Sequence, residues 1–198
     1  MGTPAANLPT SIPDFTSSGV LPPYVGSDPT VLSGVSPYRT TLVELVGRFA
    51  TSNERKTILS GFLAYRAALL AIGLTGLQWI DGSFLEDVET TESRSPNDID
   101  VVSFIERPAA LRVDQTAWEA FLAANANLFD INRTKTDFQT DSYFVDITMG
   151  PAAVIQQTAY WSGLFSHKRT TGLWKGMLEL PLSIGQDDAQ AIQFLATR

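Results

Sequence analysis

An α/β fold, with a short mixed twisted sheet and helices packed behind it, is the architecture this sequence predicts. Apolar residues recur at three- and four-residue spacing between Leu42 and Ile72, which is the helical period. Three short runs rich in Ile, Val, Phe and Trp follow, separated by polar loops and bounded by Asp, Gly, Ser or Pro, as strands are. Helical and extended patterns interleaved along one chain suit layers of helix on sheet.

The elements follow in order. Residues 1–38 carry Pro4, Pro9, Pro13, Pro22, Pro23, Pro29 and Pro37. Proline at that density prevents regular ladders, so an extended arm with turns is expected. Phe15, Val20, Leu21 and Tyr24 are the residues that would pin it to the domain, the alternative being a loose tail. Residues 39–198 then form the domain proper. Leu42, Leu45, Val46 and Phe49 mark a first helix, and Ser52 with Arg55 opens a second that runs to about Ile72. Arg66 lies on the apolar face of that helix and needs an acid or a backbone carbonyl as partner.

Gly73 is a natural stop, and Leu77–Ile80 reads as a strand entering Asp81-Gly82-Ser83. An acidic loop over Glu86–Asn97 precedes a second strand, Asp98–Phe104. Asp114–Phe129 is expected to be helical. Tyr143–Met149 is the third strand, closed by Gly150-Pro151. A helix near Ala153–Phe165, a turn at Thr170–Gly172, a strand at Met177–Leu182 and a helix from Gln186 complete the chain.

Composition narrows the function classes. A length of 198 residues with 44% hydrophobic and 18% charged residues is globular and suits one domain. No cysteine is present, which removes disulfides, thiolate metal sites and a cysteine nucleophile; it fits a reducing compartment, and a cytoplasmic location is expected. The net charge of −7 argues against a general nucleic-acid coat protein but leaves room for RNA at a local basic edge. The apolar stretch Ile58–Ile80 contains Arg66, Gly73, Thr75 and Gly76, so a buried helix and a strand are expected there and no membrane span.

Three places carry chemistry. Asp98 and Asp100 lie two apart on a strand, so both carboxylates face one side about 6–7 Å apart. Their repulsion, about 2–3 kcal/mol at an effective dielectric near 20, needs a cation or solvent to relieve it, and Mg2+ or Mn2+ suits such oxygen donors. With 13 aspartates in the chain, about 0.8 Asp-x-Asp motifs arise by chance, so position rather than presence gives the pair its weight.

Gly82-Ser83 is the second place, a bend where backbone can approach a phosphate closely and a hydroxyl can donate to it. An ordinary turn reads the same way. The third is Asp146, an acid within an apolar run that needs a partner, either a salt bridge or a shared metal. Asp141 and Asp130 are its substitutes under a different strand register. His167, Lys168, Arg169 and Lys175 form the main basic cluster, which a solvated basic loop would also explain. His167 is the single histidine, so no histidine-based triad or zinc site is expected.

Strand-Gly82-Ser83, a loop, Asp98-x-Asp100 on the next strand and a lone Asp on a later one together resemble the nucleotidyltransferase superfamily. The likeness is to its minimal members, among them DNA polymerase beta-like enzymes, antibiotic adenylyltransferases and toxin–antitoxin nucleotidyltransferases. More closely, the arm Ile12-Pro13-Asp14-Phe15 with Gly19-Val20-Leu21-Pro22-Pro23, then Ile80–Phe84 and Pro96–Asp100, resembles an uncharacterised bacterial family of the same fold, often suspected in toxin–antitoxin or phage-defence settings. That resemblance covers most of the chain.

It implies that Gly82 and Ser83 grip a nucleoside triphosphate, with Arg169 and Lys175 near its phosphates, and that Asp98, Asp100 and Asp146 hold divalent metal. A nucleoside monophosphate would pass to an RNA, protein or small-molecule acceptor, and an antitoxin or regulatory partner is expected. A catalytically silent nucleotide-sensing or partner-binding module of the same fold is the alternative. One departure stands out: fourteen residues separate Ser83 from Asp98, more than in minimal members, and the excess is acidic.

Overall fold

The computed structural model describes residues 12–198, so Pro4 and Pro9 of the expected arm lie outside the described residues. Its centre is a mixed sheet of β1 (Tyr38–Arg39), β2 (Thr75–Asp81), β3 (Ile99–Glu106), β4 (Thr140–Asp146) and β5 (Leu178–Leu182), in the order β1-β5-β2-β3-β4. β3 runs parallel to β4 and β1 to β5, while β2 is antiparallel to both its neighbours. The expected α/β class is what forms.

Seven α-helices accompany the sheet among the described residues: α1 (Leu42–Phe49), α2 (Asn53–Ala71), α3 (Val88–Glu92), α4 (Gln115–Ala124), α5 (Ile131–Phe138), α6 (Pro151–Phe165) and α7 (Asp187–Ala196). Thr41 and Glu44 form a reciprocal cap on α1, and the Ser52 hydroxyl accepts from the Arg55 N–H at the start of α2. None of these helices is long and apolar enough to cross a membrane.

Alternation along the strands divides the core. Ile80, Ile99, Val101, Leu178 and Leu180 face α1 and α2, packing on Leu45, Phe49, Ile58, Leu59 and Phe62. Trp79, Val102, Phe104 and Val145 point the other way and pack on Trp161 and Phe165 of α6. Farther along the first face, Ile105 and Leu182 meet Tyr65, Leu69 and Trp118. Arg66, 1% exposed, donates to Asp188 at 2.9 and 3.0 Å, to Gln78 Oε1 at 2.6 Å and to the Pro181 carbonyl at 2.9 Å, which meets the need for a partner in full.

From Ile12 onward the arm lies on the domain. Ile12, Val20 and Leu21 are buried, Phe15 packs edge-on against Phe49, and Tyr24 lies 5.9 Å from Trp174. The structure departs from the sequence reading in three places: α3 forms within the expected Glu86–Asn97 loop, α5 forms where no element is assigned, and β4 begins at Thr140 rather than Tyr143. The last shift decides where the acids meet.

Candidate active site

β2 delivers the chain to a sharp bend. Asp81 is its last residue, Gly82 follows with φ of +83°, and Ser83 opens a single 3-10 turn. That φ is left-handed territory, which favours glycine, and a Cβ on Gly82 would run into the Asp100 carboxylate, which would have to shift. Arg55 fixes the stretch beyond the bend. Its buried guanidinium donates to the Phe84 carbonyl and the Glu86 carbonyl, each at 2.7 Å, and to Glu89 at 2.6 and 2.8 Å.

Strand register sets three aspartates in one row. Asp81 of β2 pairs with Asp100 of β3, and Asp100 pairs with Asp141 of β4. Directly paired residues point to one face, and Asp98, two before Asp100, shares it. The carboxylates therefore crowd one corner of the sheet on the α6 side. Burial pushes the Asp100 carboxyl up to about 6, with the charges of Asp98 and Asp141 adding to the rise. The Asp100 carboxylate makes no hydrogen bond among the described residues, and Asp141 Oδ1 is buried without a hydrogen-bond partner.

Lysines answer this charge. Lys135 of α5 lies 3.0 Å from Asp98 and 2.7 Å from Asp141. The hydrogen bond to Asp141, and then Asp98, hold its pKa above the usual lysine range. Lys175 is almost fully buried, 3.0 Å from Asp81, 2.6 Å from Glu86 and 3.3 Å from the Gly82 carbonyl. Burial works against its charge, and Asp81 and Glu86 outweigh burial to raise its pKa. Lys168 reaches Glu86 at 3.1 Å and Glu92 at 2.7 Å. Arg169, exposed on the turn between α6 and β5, makes no ion pair or hydrogen bond among the described residues.

All these groups line one cleft of about 550 Å³, together with Gly82, Ser83, Arg94, Asn97 and Tyr143. The structure thus brings together Gly82, Ser83, Asp98, Asp100, Arg169 and Lys175. It does not bring Asp146. That residue ends β4, paired with Ile105, five positions past Asp141. Five residues of strand span about 16–17 Å, and an odd separation turns the side chain to the opposite face. There Asp146 pairs with Arg107 and accepts from the Thr148 N–H at 2.8 Å and the Thr148 hydroxyl at 2.6 Å. The salt-bridge explanation for its burial is correct, and Asp141 stands where the third acid was expected. Asp130 caps α5, accepting from the Asn132 and Arg133 N–H groups.

Hard oxygen donors and an orphaned carboxylate oxygen at Asp141 suit Mg2+ or Mn2+. As the side chains stand, no group of three acids or histidines among the described residues is arranged around a single ion. Lys135 draws Asp98 and Asp141 toward itself, while Asp100 lies against Gly82. His167 is exposed, and its Nδ1–H donates to the Gly163 carbonyl at 2.9 Å, capping α6 as a surface histidine.

A family model described as "Family of unknown function (DUF6932)" matches residues 13–181. No curated protein and no solved structure matches the chain.

Proposed function

The chain belongs to that family, and from its site we propose that it is a divalent-metal-dependent nucleotidyltransferase. It moves a nucleoside monophosphate from a nucleoside triphosphate to an RNA, protein or small-molecule acceptor. The observation that carries this reading is the meeting of Asp98, Asp100 and Asp141 beside the Gly82-Ser83 bend in one cleft.

The acceptor oxygen forms a bond to the α-phosphorus, the bond to the bridging oxygen breaks, and pyrophosphate leaves. Asp98, Asp100 and Asp141 would hold the metal, which when bound lowers the acceptor's pKa and neutralises charge on the leaving group. Gly82 lets backbone approach the triphosphate, and the Ser83 hydroxyl, free of hydrogen bonds among the described residues, donates to it. Arg169 is the cleft cation free to meet the β- and γ-phosphates. Lys175 acts at one remove, holding Asp81, Glu86 and the Gly82 carbonyl in place beneath the bend. A role in toxin–antitoxin or phage-defence biology, with an antitoxin or regulatory partner, belongs to the same reading.

One observation favours a second reading, a catalytically silent nucleotide-sensing or partner-binding module. Apart from Arg169, the Lys and Arg side chains of the cleft are already paired with the protein's own acids. The two readings separate in an assay of Mg2+-dependent incorporation from α-labelled nucleoside triphosphates. Incorporation that is lost in Asp98→Ala and in Asp141→Ala but kept in Asp146→Ala supports the enzyme. Tight nucleotide binding without pyrophosphate release, across a panel of RNA and protein acceptors, supports the sensor.

A further inference from the structure

We propose that Lys135 is a built-in counter-ion that competes with divalent metal for Asp98 and Asp141, so that metal loads by displacing it. The inference rests on the metal-dependent reading of the cleft and adds a residue that the nucleotidyltransferase resemblance did not supply.

The geometry is that of a cation seated in an acid pair. The Lys135 ammonium lies 2.7 Å from one oxygen of Asp141 and 3.0 Å from one of Asp98. Both carboxylates are largely buried, at 12% and 19% side-chain exposure. Like charges this close on a sheet are unfavourable unless a cation relieves them, and Lys135 is the cation that touches both. The other cleft lysines are committed elsewhere, Lys175 to Asp81 and Glu86, Lys168 to Glu86 and Glu92.

Lys135 is also built to leave. Its side chain is 46% exposed, whereas that of Lys175 is 3% exposed. Four methylenes on an outward-facing helix position let the ammonium swing into solvent without moving α5. The second oxygen of Asp141 has no hydrogen-bond partner, so lysine satisfies only part of the acid set and an ion taking several oxygens satisfies more. Lysine thus keeps the acids compatible with folding before metal arrives, and two ion pairs must break before metal can bind.

The test is Mn2+ binding by the full chain, followed by calorimetry and by the loss of the free-ion electron paramagnetic resonance signal. Lys135→Met is expected to bind Mn2+ at least about tenfold more tightly than wild type, since a competing charge is gone. It should also melt at a lower temperature in EDTA. Lys135→Arg keeps the charge and should bind Mn2+ about as wild type does. In parallel, Mn2+ added to the wild type should speed acetylation of Lys135 by an amine-reactive reagent, read by mass spectrometry. That arm holds even if Lys135→Met does not fold.

Equal Mn2+ affinity in wild type and Lys135→Met overturns the proposal while leaving the metal site intact. So does weaker binding in Lys135→Met, or Lys135 acetylation that Mn2+ does not change. Absence of Mn2+ binding in wild type and Lys135→Met alike overturns the metal-dependent reading together with the proposal. Loss of Mn2+ binding in Asp141→Asn marks the measured ion as the one in the cleft.

Discussion

Gly82 concentrates two constraints in one residue: a left-handed backbone and an α-carbon face closed by the Asp100 carboxylate. Gly82→Ala must either shift that carboxylate or open the bend. Thermal melting should show a loss of about 1–3 kcal/mol, with nucleotide affinity lost alongside. Arg169 makes the opposite prediction. Because it is exposed and makes no hydrogen bond or ion pair among the described residues, acting on Asp100 only through its charge, Arg169→Ala should leave the melting temperature within about 2 °C of wild type. Triphosphate binding should weaken about tenfold or more, measured by titration. Asp146→Ala is the converse again. It removes the carboxylate partner of Arg107, whose guanidinium lies over the Trp118 ring at 5.0 Å and keeps only its bond to Gln115, and should cost about 2–4 kcal/mol with incorporation per folded molecule unchanged.

At the scale of elements, the anchor between α2 and the loop after the bend is electrostatic and therefore titrates. The hydrogen bonds from Arg55 hold the Glu89 carboxyl below its usual range, against partial burial. A folded pKa below the unfolded one means this stabilisation is complete above the ordinary value near 4.5 and fades as pH falls through the folded value. Melting curves taken between about pH 3 and 6 should show that loss in wild type and not in Glu89→Gln. The same scale explains what the sequence could reveal. The Gly82-Ser83 bend and the Asp98–Asp100 pair were legible because an apolar strand abuts each. Asp141 was legible only as a substitute for Asp146 under another register, because β4 starts with Thr140-Asp141-Ser142, which reads as loop until Tyr143. α5, which supplies Lys135, has only Ile131 and Phe138 as apolar residues, seven apart and with buried Thr134 between them, too few to mark a helix by periodicity. Its one signal was Asp130, positioned as a cap.

The whole molecule is organised around the arm as much as around the sheet. Leu21, fully buried, sits in the main core, and Leu21→Ala should cost about 2–5 kcal/mol by chemical denaturation. The arm also touches both sides of the cleft. The Gly19 carbonyl accepts from Asp87 N–H at 2.8 Å, and Val20 bridges Glu86, on the loop that follows Gly82-Ser83. Two residues later the Leu21 carbonyl accepts from Gly176 N–H at 2.8 Å, next to Lys175 at the base of the Arg169 turn. One short stitch therefore binds opposite jaws to a common hem. Neither jaw can gape alone without tearing it, so the width of the cleft between Gly82-Ser83 and Arg169 is gauged in advance by sequence far upstream of the acids.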